Sequence, residues 1–190
     1  MSKKDDHIVF QPKTEAIYKI IIVGDPSVGK TSLLTKFSTK KFKETYIPTV
    51  GVNILKEVVN LEVNGNEIIV NLMLWDVAGQ PQFYMLHKPY FNGADGMVLV
   101  FDITRQSTFS NVKNWWNTAV KYGLSGIPRV LIGNKIDLES DRKIIQPHAD
   151  HLSNELNAQY FETSAKSGEN VEEIFKTIAK ITFDSKTSKK

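Results

Sequence analysis

The sequence predicts an α/β fold with a mainly parallel, six-stranded sheet, one antiparallel edge strand and helices on both faces. Residues 17 to 23 and 97 to 101 are nearly all apolar, which is typical of parallel strands that are covered on both sides. Segments with helical periodicity alternate with these strands, as in layered α/β domains. Asn64-Gly65 separates two further strand-like runs and predicts a hairpin, which supplies the antiparallel strand.

Each strand is justified by apolar content between turn residues. The segment over 40 to 51 contains Pro48 and is predicted to be a loop. Residues 81 to 92 are interrupted by Pro89 and are predicted to be irregular or briefly helical. In order, the predicted strands span residues 17 to 23, 52 to 63, 67 to 75, 97 to 101, 130 to 132 and a last strand that starts at 160.

Each helix is justified by apolar residues that recur three or four positions apart. Ser107 is the predicted N-cap of the second helix. Trp115 and Trp116 are predicted to be one core ring and one ring at the boundary of the core. The predicted helices span residues 31 to 39, 107 to 122, 146 to 156 and 171 to 181, with apolar faces formed by Leu33, Leu34, Phe37, Phe109, Val112, Trp116, Val120, Ala149, Leu152, Leu156, Val171, Ile174, Phe175 and Ile178.

Length and composition are those of one domain. The chain has 190 residues, of which 41% are hydrophobic and 24% charged, enough for one core. We expect the domain over 16 to 182, a flexible arm over 1 to 15 and a flexible basic tail over 183 to 190. Much of the net charge of +3 lies in these ends, which favours solvated ends over a nucleic-acid patch.

Composition also excludes several classes of function. The chain has no cysteine, so it has no disulfide, thiolate metal site or cysteine nucleophile. Its longest purely apolar run is far shorter than the ~20 residues of a membrane-spanning helix, and no signal-peptide core or lipidation motif is present. We expect a cytoplasmic monomer whose membrane contact, if the natural chain does not continue to a lipidated tail, is made through a partner or is absent.

A glycine-rich octet lies between the first strand and the first helix. Gly24-Asp25-Pro26-Ser27-Val28-Gly29-Lys30-Thr31 has the spacing G-x-x-x-x-G-K-T. Its glycines let a loop close around phosphate oxygens, and its backbone N–H groups and the positive helix end point at the negative charge. Lys30 adds a positive charge and Thr31 offers a hydroxyl to Mg²⁺. The octet predicts a phosphate site, and an ordinary glycine-rich turn is the alternative.

Asp76-Val77-Ala78-Gly79-Gln80 ends the second strand of the hairpin. Asp76 can hold Mg²⁺ opposite Thr31, directly or through water. Gly79 offers an unobstructed backbone N–H to a terminal phosphate, and Gln80 can orient an attacking water. A turn-forming aspartate and a solvent-facing amide are the alternatives.

Asn134-Lys135-Ile136-Asp137 indicates which base is bound. The Asp137 carboxylate can accept both N1–H and the exocyclic amine of guanine, whereas adenine has an acceptor at N1 and no amine there. A site with such paired hydrogen bonds rejects the wrong base by ~10⁴ or more. Thr163-Ser164-Ala165-Lys166 would supply backbone N–H to guanine O6, and the stems of Lys135 and Lys166 would cover the ring faces.

In this order and spacing, the motifs resemble the five nucleotide-binding motifs of the Ras superfamily of small GTPases, over about residues 16 to 182. Residues 46 to 51, Trp75-Asp76 and residues 162 to 166 are most similar to the Rab branch. The resemblance implies a P-loop NTPase fold and a GTP-binding molecular switch that hydrolyses GTP slowly with Mg²⁺. It also implies effector, GAP and exchange-factor partners that bind through two switch segments.

The resemblance assigns roles to individual residues. Switch I would span 42 to 51, with Phe42 against the base, and switch II would span 76 to 92. Gln80, Lys30 and Thr49 would be catalytic, and Thr31, Thr49 and Asp76 would hold Mg²⁺. The implied nucleotide-binding residues are Asp25, Pro26, Ser27, Val28, Gly29, Lys30, Thr31, Ser32, Phe42, Tyr46, Thr49, Gly79, Asn134, Lys135, Asp137, Ser164, Ala165 and Lys166.

The sequence departs from the Rab pattern at several positions. Val77 stands where Thr is usual, Pro81-Gln82 stands where Glu-Arg is common, and Pro26 stands where Ras has Gly. The hairpin is about four residues longer than in Rabs, and switch I contains no arginine that could act in cis. Two alternatives remain: a nucleotide-binding scaffold with negligible hydrolysis, and a P-loop phosphoryl-transfer enzyme that acts on a small acceptor.

Overall fold

The computed structural model describes residues 14 to 42, 48 to 80 and 87 to 188, and it confirms the predicted α/β fold. The six strands lie in the order β2-β3-β1-β4-β5-β6, and every neighbouring pair is parallel except β2 with β3. The strands are β1 (Thr14–Val23), β2 (Val52–Val63), β3 (Asn66–Val77), β4 (Gly96–Asp102), β5 (Arg129–Asn134) and β6 (Gln159–Thr163).

Six α-helices cover the two faces of the sheet within the described ranges. They are α1 (Lys30–Thr39), α2 (His87–Phe91), α3 (Gln106–Ser110), α4 (Val112–Lys121), α5 (Gln146–Glu155) and α6 (Val171–Thr187), and a 3-10 helix spans Ile136–Asp141. One core lies between the sheet and α1 with α6, where the rings of Phe37 and Phe175 stack 4.3 Å apart. The other core lies between the sheet and α2, α4 and α5.

The predicted helix over 107 to 122 is wrong in two respects. The structure has two helices, α3 and α4, with Asn111 between them, and α3 starts at Gln106 without a side-chain cap from Ser107. The buried face of α4 consists of Val112, Trp115 and Ala119, whereas Val120 is 41% exposed. Trp115 and Ala119 are therefore buried where Trp116 and Val120 were predicted to be.

The predicted division into one core ring and one boundary ring is confirmed, but Trp116, which was predicted on the apolar face, is the boundary ring. Trp115 is 3% exposed and belongs to the core, and Trp116 is partly buried against it.

The ends of the domain also differ from the expected boundaries. Strand β1 begins at Thr14, three residues earlier than predicted, because Thr14 pairs with Ile68 of β3. Helix α6 continues to Thr187, and Phe183 is only 9% exposed, so the expected tail over 183 to 190 is wrong for residues 183 to 187. Residues 1 to 13 of the expected arm and residues 189 and 190 lie outside the described residues. No described helix is both long enough and apolar enough to span a bilayer.

The topology fixes where a ligand can bind. Strands β2 and β3 lie on one side of β1, and β4, β5 and β6 lie on the other side. The order of strands therefore reverses at β1. In open α/β sheets, ligands bind beyond the carboxyl ends of the strands at this reversal. The loops that follow β1, β3, β4, β5 and β6 all start at that edge.

Candidate nucleotide-binding site

A cavity of about 680 Å³ lies at the carboxyl edge of the sheet. Its volume is within the ~300–1,000 Å³ that is typical of ligand pockets. The cavity joins the loop after β1 to the loops after β3, β5 and β6. Its lining residues are Pro26, Ser27, Gly29, Lys30, Thr31, Ser32, Thr35, Phe42, Thr49, Asn53, Gly79, Gln80, Asn134, Lys135, Asp137, Leu138, Ala165 and Lys166.

The loop after β1 depends on glycine at both ends. Gly24 has φ +147°, and a Cβ built there would lie 2.1 Å from the carbonyl oxygen of Val100. Gly29 has φ +101° and caps the N-terminus of α1, and a Cβ there would lie 2.1 Å from Nδ2 of Asn134. A side chain at either position would meet these atoms and would require a backbone conformation that residues other than glycine rarely adopt. The first turn of α1 therefore lies directly at the cavity, with its free N–H groups at that end.

Lys30 is a buried cation whose positive charge a bound anion would stabilise. Its side chain lies among buried groups with 6% of the residue exposed, and Nζ donates to the carbonyl oxygens of Gly24 (2.7 Å) and Asp25 (2.9 Å). Burial lowers the pKa of Lys30 to about 8, although the nearby Asp76 carboxylate opposes this shift. A phosphate in the cavity would favour the protonated form and raise the pKa again.

Three oxygen ligands converge beside the start of α1. Thr31 Oγ1 lies 2.5 Å from Asp76 Oδ2 and 2.9 Å from Thr49 Oγ1, and Thr49 Oγ1 lies 3.5 Å from the same carboxylate oxygen. Asp76 is fully buried, and its Oδ1 has no hydrogen-bond partner among the described residues. Burial raises the pKa of Asp76, and the Thr31 hydrogen bond and the charge of Lys30 oppose this effect.

This set of ligands fits Mg²⁺. Two hydroxyls and a carboxylate are hard oxygen ligands of the kind that Mg²⁺ prefers, and Mg²⁺ usually binds one or two carboxylates with water and phosphate. A divalent cation would also account for the unpaired Oδ1 of Asp76 and would stabilise its ionised form.

Gly79 packs directly on the loop of residues 24 to 31, the phosphate loop. A Cβ at this position would lie 2.4 Å from the carbonyl oxygen of Gly24, 2.7 Å from the carbonyl carbon of Asp25 and 2.8 Å from the nitrogen of Pro26. All three contacts are with backbone atoms, so the segment after β3 can approach the loop only because position 79 has no side chain. Gln80 follows and lines the cavity with a partly exposed side chain.

Asn134 joins three loops at the other end of the cavity. Its Nδ2 donates to the carbonyl oxygen of Val28 (2.8 Å), and its Oδ1 accepts from Thr163 Oγ1 (3.1 Å) and from the N–H of Ala165 (3.2 Å). One amide, which is 1% exposed, therefore fixes the phosphate loop to the loops after β5 and β6.

Asp137 and Lys135 stand beside this amide. Asp137 Oδ1 accepts a hydrogen bond from Ser164 Oγ (2.6 Å), which orients the carboxylate from the loop after β6. Lys135 Nζ lies 2.6 Å from Asp102 Oδ2 at the end of β4. Although burial opposes it, the hydrogen bonds from Lys135 and Thr104 hold the pKa of Asp102 below its ordinary value.

The structure brings together most of the predicted site residues, with several exceptions. Val28 has its side chain in the core, and the Asp25 carboxylate is directed to α4 rather than into the cavity, so the predicted nucleotide contacts of these two residues stay predictions for their backbone N–H groups. Ser164 supports Asp137 and does not line the cavity. Tyr46 lies outside the described residues.

Sequence reasoning missed several residues of the site. Thr35, Asn53 and Leu138 line the cavity, and Asp102 holds Lys135. Asp102 ends a strand at the same edge as Asp76, which is a signal that could have identified it. Arg105, Asn111 and Trp115 contact the phosphate loop from outside the cavity, and no local pattern points to them.

The fold and this cavity define a P-loop nucleotide-binding domain. The sequence model of the Ras family matches residues 19–184. The chain is 38% identical to the Ras-related protein Rab-13 of Mesocricetus auratus over 180 residues, which cover 95% of this chain and 82% of the relative. It is 37% identical to Rab-8B of Homo sapiens (86% and 77% covered) and 35% identical to the GTP-binding protein yptV2 of Volvox carteri (90% and 77%).

The chain belongs to the Ras family, and within it to the Rab branch. It is accordingly a small GTPase, a GTP-binding switch protein that hydrolyses GTP.

Proposed function

We propose that the cavity holds GTP with its base at Asn134, Asp137 and Ala165 and its phosphates at the loop of residues 24 to 31. The observation that carries this proposal is the Asn134 amide, which fastens the phosphate loop to the two loops of the base pocket. Asp137 reads guanine through N1–H and the exocyclic amine. Lys135, Lys166 and Phe42 line the cavity where a base would need apolar cover.

Mg²⁺ is the proposed metal, held by Thr31, Thr49 and Asp76. When bound, it would neutralise charge on the β- and γ-phosphates. The unpaired, buried Oδ1 of Asp76 supports this proposal. Lys30 adds a second positive charge from the floor of the cavity, and the Gly79 N–H adds a neutral donor.

Hydrolysis is proposed to follow from position and electrostatics. Gln80 orients a water in line with the γ-phosphorus; the water oxygen forms the new P–O bond as the bond to the β-phosphate oxygen breaks, and the water proton leaves with the phosphate product. Turnover without a partner is proposed to be slow, because switch I contains no arginine and an added arginine increases the rate by ~10³ to 10⁵ in this reaction class.

The output of the switch is proposed to be a partner-binding surface. With a γ-phosphate present, Thr49 and Gly79 are held on the site, and after hydrolysis they are released. Effectors, a GAP and an exchange factor would read or change this state at the two switch segments. By its similarity to Rab-13 and Rab-8B, we propose a role in membrane trafficking, with the protein in the cytoplasm and at membrane surfaces.

Two measurements test the proposal. Mass spectrometry of the nucleotide that co-purifies should identify GDP or GTP, and ATP would remove the role of Asp137. Single-turnover hydrolysis of bound GTP should release phosphate slowly, and the Gln80→Leu variant should be slower still with unchanged GDP affinity. No release over many hours in the unaltered protein would favour a nucleotide-binding scaffold.

A further inference from the structure

The Asp25 carboxylate is held from outside the cavity. Its Oδ1 accepts hydrogen bonds from Asn111 Nδ2 (2.5 Å) and from Trp115 Nε1 (2.9 Å), both at the start of α4. These donors are 86 and 90 residues away from Asp25 in the sequence. Hydrogen bonds to an ionised acceptor are shorter and about twice as strong as neutral ones.

Both donors are themselves fixed. Asn114 Nδ2 donates to Asn111 Oδ1 (2.7 Å), which directs the other end of the Asn111 amide toward Asp25. Trp115 is 3% exposed and is packed in the core between α4 and the sheet. Asn111 lies at the junction of α3 and α4, so the contact with the phosphate loop is made where one helix ends and the next begins.

The next residue of the phosphate loop has a contact from the same side. Arg105 donates from a terminal nitrogen to the carbonyl oxygen of Pro26 (2.9 Å) and from Nε to Asp102 Oδ2 (3.0 Å). The same Asp102 oxygen receives Lys135 Nζ. The outer side of residues 25 and 26 is thus bound to the β4–α3 loop and to α4.

We propose that Asn111 and Trp115 are positioning residues for phosphate binding. By holding Asp25, they fix the direction of the backbone N–H groups of the phosphate loop and set how fast GDP is released. This inference rests on the proposed function, because it assumes that the loop binds phosphates. It assigns to α4 a role that the base-binding loops do not share. Loss of these contacts should therefore weaken the binding of the phosphate groups and leave the binding of the base unchanged.

The test uses variants that remove one donor each. Trp115→Phe keeps an aromatic ring and removes Nε1–H, and Asn111→Leu removes the amide at similar size. We expect GDP to be released about tenfold faster from each, which corresponds to the loss of roughly one hydrogen bond to a charged acceptor. Affinity for guanosine, measured by competition, should be unchanged. Trp116→Phe is the matched control, because Trp116 lies against Arg129 rather than the phosphate loop.

A double-mutant cycle separates positioning from loss of packing. In the Asp25→Ala background, Trp115→Phe should cause no further increase in GDP release, because its acceptor is gone. Three results would overturn the inference. Trp115→Phe could have the same effect on GDP release in both backgrounds, or both single variants could release GDP at the wild-type rate. The third is a loss of guanosine affinity that parallels the loss of GDP affinity. If Trp115→Phe does not fold, Asn111→Leu is paired with Asp25→Ala in the same cycle. Failure of the unaltered protein to bind GDP would instead overturn the proposed function.

Discussion

At the scale of the residue, Gly79 is a position where backbone atoms leave no room for a side chain. An added Cβ would meet three backbone atoms of the phosphate loop at 2.4 to 2.8 Å, and backbone cannot move aside as a flexible side chain can. The Gly79→Ala variant should therefore displace the segment that carries Gln80, with GDP affinity little changed. We expect single-turnover hydrolysis to fall at least about tenfold, a barrier increase of about 1.4 kcal/mol.

Gly126→Ala is the matched control for this variant, since a Cβ at Gly126 would have no atom within 4 Å. Hydrolysis at the unaltered rate in Gly79→Ala would show that the contact with the loop is not needed.

Asp137 is the residue on which base selection depends. Its carboxylate is oriented by Ser164 at 2.6 Å, and an amide in its place would present a donor to the guanine amine. Asp137→Asn should lower the affinity for GDP by ~10³ or more and shift preference toward xanthine nucleotides. Competition binding of GDP against XDP measures both effects, with Asp141→Asn, an exposed neighbour, as the control. Unchanged guanine selectivity would remove Asp137 as the reader of the base.

Lys30 should give the nucleotide-free protein a distinct pH dependence. Its pKa is about 8 in the folded protein and 10.5 in an ordinary setting, so the unfolded chain binds more protons between these values. The destabilising effect of its buried charge is therefore complete below pH 8 and is relieved as pH rises to 10.5. We expect the free energy of unfolding, relative to Lys30→Met, to increase across this window. A flat difference in chemical denaturation would contradict the burial of a charged Lys30.

At the scale of the element, α6 is longer than its sequence pattern suggests. Phe183 and Thr182 are buried, so the last turns of the helix belong to the core. Phe183→Ala should reduce the free energy of unfolding by about 3 kcal/mol, because a buried ring is lost and a cavity is left. Ser188→Ala, at an exposed position past the helix, should have almost no effect. Equal stability of the two variants would place Phe183 in a solvated tail.

The elements show which parts of the structure can be predicted from sequence. The strands and the phosphate loop could be predicted, because apolar runs and the G-x-x-x-x-G-K-T spacing are local signals. The contacts of Asn111 and Trp115 with the phosphate loop could not, because their acceptor, Asp25, is distant in sequence. For the same reason, no local signal shows that the Asp25 carboxylate is directed to α4. A motif shows that a loop meets phosphate, but not which of its side chains are used to hold the loop in place.

At the scale of the whole molecule, stability should depend on the ligand. Lys30 is a buried cation among carbonyls and Asp76 has an unpaired buried oxygen, so these polar groups would be compensated by a bound anion and a cation. We compare the protein at a GDP concentration a thousandfold above Kd with the same protein after removal of nucleotide and Mg²⁺. The removal should lower the free energy of unfolding by about 4 kcal/mol. Thermal denaturation with EDTA and phosphatase measures this loss. Recovery with GDP and Mg²⁺, but not with ATP and Mg²⁺, is expected, and identical melting curves would contradict it.

The Asn134 amide also decides how the ligand can leave. It bonds at once to the phosphate loop and, at Thr163 and Ala165, to the end of β6 and the loop that follows, so neither segment can move away from β5 without breaking a hydrogen bond of Asn134. The base-binding loops and the phosphate loop are therefore joined at a point that is separate from the contacts of Asn111 and Trp115 with Asp25. Release of a whole nucleotide should therefore depend on both connections, whereas loss of the Asp25 contacts alone loosens only the phosphate half of the site.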